Sequence, residues 1–211
     1  VVPDAAASWE VRNGGLEYVF HLRDDLSWSD GAPLTAHDFE HAWKGLLDPA
    51  VRSPNAELLY GIRNARAFHQ GLLRDWAQLG VRTLDPYTLI VELERPMGHF
   101  LLLLACPATF AVPRHRAPAR SSAWTRRARI VTSGPFLLGA WQRGERLTLT
   151  RNPLYRGRSS GNVQDVEVTL LPASQWRRLL SMYEVGDLDV LNLRSLPLAT
   201  MDRARHRHAG D

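Results

Sequence analysis

Apolar and polar positions alternate first at Glu17–Arg23, EYVFHLR, where Tyr18, Phe20 and Leu22 fall on one face. That period of two predicts a half-buried strand. The turn residues Ser29-Asp30-Gly31-Ala32-Pro33 follow, and Thr35 with Asp38 three residues later reads as a capping-box variant at a helix start. The helix is expected to run to about Leu47 and to stop before Asp48-Pro49, with Phe39, Ala42, Trp43 and Leu46 on its core face. From Ser53-Pro54 a helical stretch carries Leu58, Leu59 and Ile62 on to Ala67 and Phe68, with Gly61 as a possible break. Gly80–Leu84, a turn at Asp85-Pro86 and Tyr87–Leu93 then read as a hairpin.

The longest apolar run, His99–Val112, is broken by Pro107 and too short to span a bilayer. It reads as a buried helix followed by a strand. A second hairpin is expected over SGPFLLGAWQ and ERLTLTRNP around Arg143-Gly144, then a strand near Val166–Leu171. Ser174–Val185 places Trp176, Leu179, Leu180 and Tyr183 on one helix side, and Leu188–Leu193 reads as a short strand. Strand, helix and strand in that order suggest a βαβ unit. Trp28, Trp43, Trp124 and Trp141 are assigned to the core.

Composition adds little to this pattern and excludes much. The 211 residues are 45% hydrophobic and 23% charged, an ordinary folded mixture. Lys44 is the sole lysine, so the net charge of +4 is carried by arginine. Arg114, Arg116, Arg120, Arg126, Arg127 and Arg129 gather in one stretch, expected to be a mobile, solvated loop. No helix-turn-helix or zinc-finger spacing accompanies them, and no nucleic-acid partner is assigned to the segment. Cys106 is the only cysteine, which excludes an internal disulfide and a cysteine-rich metal site. No charged n-region followed by an apolar core opens the chain, so any signal peptide or lipid-anchored cysteine is expected to lie outside these residues.

One motif carries potential chemistry. His37-Asp38-Phe39-Glu40-His41 matches the H-x-x-E-H zinc signature of inverted zinc peptidases. On a helix His41 lies about 40° from His37, and both point away from the apolar face. An exposed face supplies neither a third ligand nor a water-excluding cleft, so two solvated histidines are expected and no metal. His206 and His208 read as part of a polar tail. No nucleophile with a base beside it, no paired carboxylates and no phosphate loop appear, so no catalytic residue and no cofactor are assigned.

In order along the chain, FHLRDDLSWSDGAPLTAHDFEHAWKGLLDP, GVRTLDPYTLIVELERP, SGPFLLGAWQRGERLTLTRNPLYRG and MYEVGDLDVLN resemble the family 5 extracellular solute-binding proteins. The resemblance implies an incomplete periplasmic-binding-protein type II fold of the α/β class. Residues 1–131 would form a smaller subdomain beside the ligand, and 132–211 would begin the hinge-bearing lobe. It implies an extracytoplasmic, monomeric receptor that closes on a solute, an oligopeptide first, and presents it to the membrane subunits of an ABC importer. The family normally continues for several hundred residues, so the chain is expected to be a fragment. An alternative reading is a cytoplasmic ligand sensor of a regulator or kinase built on the same module.

The site residues that the resemblance points to are Asn55, Tyr60, Ser133 and Gly134. Asn55 stands where relatives present a tyrosine, and it could hydrogen-bond a ligand backbone or simply end a helix. Tyr60 could be core or ligand stack. Ser133 and Gly134 occupy a cleft-facing junction, or a turn that needs glycine.

Overall fold

The computed structural model describes residues 2–117, 130–157, 161–192, 197 and 200–202. The chain divides into two compact units, Val1–Leu137 with Arg151–Gln164, and Leu138–Thr150 with Asp165–Asp211.

The first unit is built on a four-stranded antiparallel sheet. Its strands are β1 (Ala6–Arg12), β2 (Glu17–Leu22), β3 (Val81–Asp85) and β4 (Thr88–Glu92), in the order β1-β2-β4-β3. The expected strand over Glu17–Arg23 and the hairpin β3–β4 both form. β1 has no counterpart in the sequence reading, although Ala7, Trp9 and Val11 alternate there with Ser8, Glu10 and Arg12.

Helix α1 (Ala36–Leu47) starts and stops where the capping residues place it. The Asp38 carboxylate accepts from the Thr35 N–H at 2.9 Å and from the Thr35 hydroxyl at 3.3 Å. α1 packs over β3 and β4. The stretch from Ser53 does not form one helix. It splits into a 3₁₀ turn at Ala56–Leu59 and α2 (Ala65–His69). Ile62 bridges to Leu93, and the Arg63 N–H donates to the Glu92 carbonyl at 2.8 Å, so the intervening residues are drawn to the sheet instead. Gly80 answers with its own N–H to the Arg63 carbonyl at 2.9 Å. A Cβ at Gly80 would lie 2.5 Å from the Glu92 carbonyl oxygen, so the close approach requires glycine.

Tyr18, Phe20, Trp43, Leu47, Leu59, Ile62, Phe68, Val81, Val91 and Phe100 are among the buried residues that form the core of this unit. Val19 and Ile90, opposite one another across the ladder, are also buried, so β2 is covered on both faces there. The His99–Val112 run gives α3 (Phe100–Leu104) and a 3₁₀ turn at Pro107–Thr109, and no strand follows. The Thr109 hydroxyl donates to the Cys106 carbonyl at 2.8 Å and so closes the turn that Pro107 starts. Cys106 is half-buried and free.

Outside the first sheet, β5 (Phe136–Gln142), β6 (Arg146–Arg151) and β7 (Asp165–Thr169) form a three-stranded sheet in that order. Gly144 takes φ 79° in the turn between β5 and β6, where a left-handed residue is needed. α4 (Trp176–Glu184) half-buries Trp176, Leu179, Leu180 and Tyr183, the side that periodicity marks as apolar. Residues 187–192 form no strand, so among the described residues β7 and α4 are not completed into a βαβ unit. Trp141 is 39% exposed with the Arg143 guanidinium 5.3 Å from its ring centroid, at an open strand end instead of in the core. Trp28 and Trp43, at 2% exposure each, are core residues as expected. Trp124, the arginine-rich stretch from Arg120 to Arg129, and His206 and His208 lie outside the described residues.

Candidate functional site

Among the described residues, two of the cavities open in the first unit. The larger, about 800 Å³, is floored by Trp9, Phe20 and Leu22 and walled by Phe39 and Trp43 of α1 and Leu101 and Leu104 of α3. Asp4 and Tyr155 are its only ionisable lining side chains among the described residues. The indole N–H of Trp43 donates to the Thr109 carbonyl at 2.7 Å, and that of Trp28 to the Asp38 carboxylate at 3.4 Å. With their polar atoms already satisfied inside the wall, both rings offer this cavity apolar surface.

Asp38 is the most heavily engaged polar group behind that wall. Besides Thr35 and Trp28, its carboxylate accepts from the Arg114 N–H at 3.1 Å, which fastens the strap 112–117 to the start of α1. A buried carboxylate with several donors is stable, and one deprived of them is costly. His115 Nε2 at 2.9 Å and Arg116 Nε at 3.1 Å both meet the Asp30 carboxylate on the same strap. Burial pushes the Asp30 carboxyl up, but these partners outweigh it and hold the group below its ordinary range.

Ser133 and Gly134 stand on the rim of the larger cavity. The Gly134 N–H donates to Thr132 Oγ1 at 3.0 Å, and its carbonyl accepts from the buried Asn152 amide at 2.9 Å. Gly134 is not left-handed, so φ does not demand glycine there; a Cβ would approach Thr132 Oγ1 at 3.3 Å. Ser133 is exposed beside it.

Tyr60 belongs to the smaller cavity, about 330 Å³, with Glu57, Arg66, Glu94, Arg95 and His99 among its lining residues. Its ring packs against the core while a 2.6 Å hydrogen bond joins its hydroxyl to His69 Nδ1. Tyr60 thus packs on the core and borders the smaller cavity. Asn55 lines neither cavity. It is exposed just ahead of the 3₁₀ turn, its N–H donating to Ser53 Oγ at 3.2 Å and its side chain leaving that turn uncapped. The four residues therefore do not converge. Ser133 and Gly134 share one cavity, Tyr60 lies at the other, and Asn55 is apart from both.

The histidines of the zinc-like motif are only partly solvated, with 37% of the His37 side chain exposed. His37 Nδ1 lies 3.0 Å from Thr83 Oγ1, and His41 Nε2 donates to the Ala117 carbonyl at 2.7 Å, so each half-buried ring has its own separate partner. Among the described residues no group of three His, Cys, Asp or Glu side chains is placed to hold a metal. Arg66, Arg95, Glu57 and the aromatic floor at Trp9 went unmarked in the sequence, because surface arginines and a lone tryptophan have no spacing that announces a cavity.

The family model for bacterial extracellular solute-binding proteins, family 5, middle region, matches residues 1–207. The chain belongs to this family. The probable deoxycholate-binding periplasmic protein YgiS of Escherichia coli strain K12 is 38% identical over 192 residues, covering 90% of this chain and 35% of that protein. The periplasmic oligopeptide-binding protein OppA of Salmonella typhimurium is 35% identical over 205 residues, covering 96% of the chain and 37% of OppA. The structure of Haemophilus influenzae OppA in complex with the peptide RPPGFSPFR superposes with a TM-score of 0.85 at 30% identity, over 98% of this chain and 40% of that one. The architecture is therefore part of the type II periplasmic-binding-protein fold, and the chain spans little more than a third of these family 5 relatives. The family is one of binding proteins, and no helix among the described residues is long and apolar enough to cross a membrane.

Proposed function

We propose that these residues form part of an extracytoplasmic, monomeric receptor that captures a solute, most favourably an oligopeptide, for an ABC importer and performs no chemistry on it. The observation that carries the reading is the match to an oligopeptide-binding protein solved with its peptide, over nearly the whole of this chain. Residues 1–131 act as the smaller subdomain beside the ligand, and 132–211 begin the lobe that carries the hinge. Ligand binds both lobes in the closed form and one in the open form, so it shifts the population toward closure, which the importer's membrane subunits read. The sensor alternative draws no support from relatives whose names are those of periplasmic binding proteins.

One observation favours a second ligand class. The larger cavity has an almost uncharged apolar lining, and a relative at 38% identity is a probable deoxycholate-binding protein. Thermal melts of the full-length protein with a pool of two- to five-residue peptides, and separately with deoxycholate, divide the readings. A ligand at a hundredfold its Kd adds about 2.7 kcal/mol and raises the midpoint by several degrees. A shift with peptides is expected. A shift with deoxycholate alone would transfer the reading to apolar solutes, and none with either would sink both.

A further inference from the structure

The smaller cavity carries chemistry that membership of the family does not assign. Arg66 and Arg95 both line it, and among the described residues neither guanidinium makes an ion pair. Some other exposed arginines pair, Arg12 with Glu10 at 2.7 Å, Arg63 with Glu92 at 2.8 Å and Arg116 with Asp30 at 3.1 Å, while Arg52, Arg74, Arg143 and Arg177 make no ion pair among the described residues. Glu94, next in sequence to Arg95, also lines the cavity, its Oε1 accepting from the Asn64 N–H at 2.6 Å. Glu57 is the other carboxylate at the rim, and His99 adds a third basic group.

Arg66 is also positioned. Its guanidinium carbon lies 5.0 Å from the Tyr60 ring centroid, and the Tyr60 hydroxyl is tied to His69. An arginine stacked on an aromatic face keeps its N–H edge for a planar acceptor, and a carboxylate matches that fork with two hydrogen bonds. At about 330 Å³ the cavity is at the small end of the roughly 300–1,000 Å³ of ligand pockets, room for one residue or one chain end.

We propose that this cavity binds a carboxylate of the captured ligand through Arg66 and Arg95, against the Tyr60 ring. The inference rests on the peptide-binding reading above. A peptide presents that group from two sources, its C-terminus or an Asp or Glu side chain. Glu57 at the rim disfavours a second carboxylate beside the first and tolerates a neutral or cationic neighbour.

Titration calorimetry on the full-length protein with trialanine, trialanine amide and the amide of Ala-Glu-Ala tests it. If the C-terminus is the source, trialanine binds at least about tenfold more tightly than its amide; if a side chain is the source, the Glu-containing amide does so instead. In either case the double substitution Arg66→Gln with Arg95→Gln is expected to bring the preferred probe to the level of trialanine amide. Arg66→Lys, which keeps charge and loses the fork, should remove only part of the preference. Equal binding of all three probes, or a preference that survives the double substitution, overturns the inference and leaves the peptide reading standing. No binding of any probe overturns both. Both arginines are exposed, and a circular dichroism spectrum matching the native protein verifies that the variants fold.

Discussion

Phe68 and Leu149 occupy comparable places in their local patterns and have different surroundings. Phe68, on α2, is 1% exposed and stacks on Trp76 with centroids 4.7 Å apart. Leu149, on β6 opposite Val166 of β7, is only half-buried. The contrast extends through both units: the first closes a sheet under helices around a shared core, while β5, β6, β7 and α4 contain no buried residue. Alternation and helical periodicity tell which face of an element is apolar. Whether that face is covered depends on how many layers meet over it, which no single element encodes.

Substitutions test this difference. Phe68→Ala is expected to cost about 3–5 kcal/mol in urea unfolding of the full-length protein followed by circular dichroism, because it empties a closed site. Asp38→Ala comes next, at about 2–3 kcal/mol, since it removes a helix cap and orphans the donors on Thr35, Trp28 and Arg114. Hydrogen exchange should show the strap 112–117 losing protection in that variant; unchanged exchange there would show that Asp38 does not fasten it. Leu149→Ala should cost about 1 kcal/mol or less, as a half-buried side chain loses part of its transfer energy and leaves no closed cavity. A loss equal to that of Phe68→Ala would break the comparison, and would mean that the face of β6 is covered as fully as the core.

The smallest effect belongs to Glu40. Burial pushes its carboxyl up, and hydrogen bonds from Lys44 at 2.6 Å and Thr83 at 2.8 Å outweigh that, holding it below the ordinary glutamate range. A depressed folded-state pKa gives stability that is present above the unfolded value and lost as pH falls through the folded one. Glu40→Gln should therefore cost under about 1 kcal/mol near neutrality, with the gap to the native protein closing as pH is lowered toward about 3. A gap that widens in acid would contradict the assignment.

The parts of the fold that could be read directly were those decided locally. Thr35 and Asp38 fix the start of α1, and the Asp85-Pro86 turn fixes β3 against β4. The failures were decided at a distance. Ile62 leaves a helical pattern because Leu93 bridges to it, and His37 and His41 are half-buried because Thr83 and Ala117 reach them. β1 is a different case: it was passed over although Ala7, Trp9 and Val11 alternate with Ser8, Glu10 and Arg12, and it pairs with β2 along its length. Of the candidate site residues, Ser133, Gly134 and Tyr60 do line cavities and Asn55 does not. Arg66 and Arg95 became visible only when folding set them beside Tyr60.

The strap that α1 holds also sets an order of events. Asp38 to Arg114 and His41 to Ala117 each join residues 76 apart in the chain, and Trp43 to Thr109 joins residues 66 apart. Contacts across such separations form only after the intervening chain has been brought back, and they slow folding relative to hairpins such as β3–β4. During synthesis α1 must leave the ribosome well before its partners do. For that interval the carboxylate of Asp38 has its local donors at Thr35 and Trp28 while Trp43 waits for Thr109. Docking of 109–117 on α1 is thus a late step in the nascent first unit, followed by still longer closures such as Ser29 with Thr132 and Arg23 with Arg156.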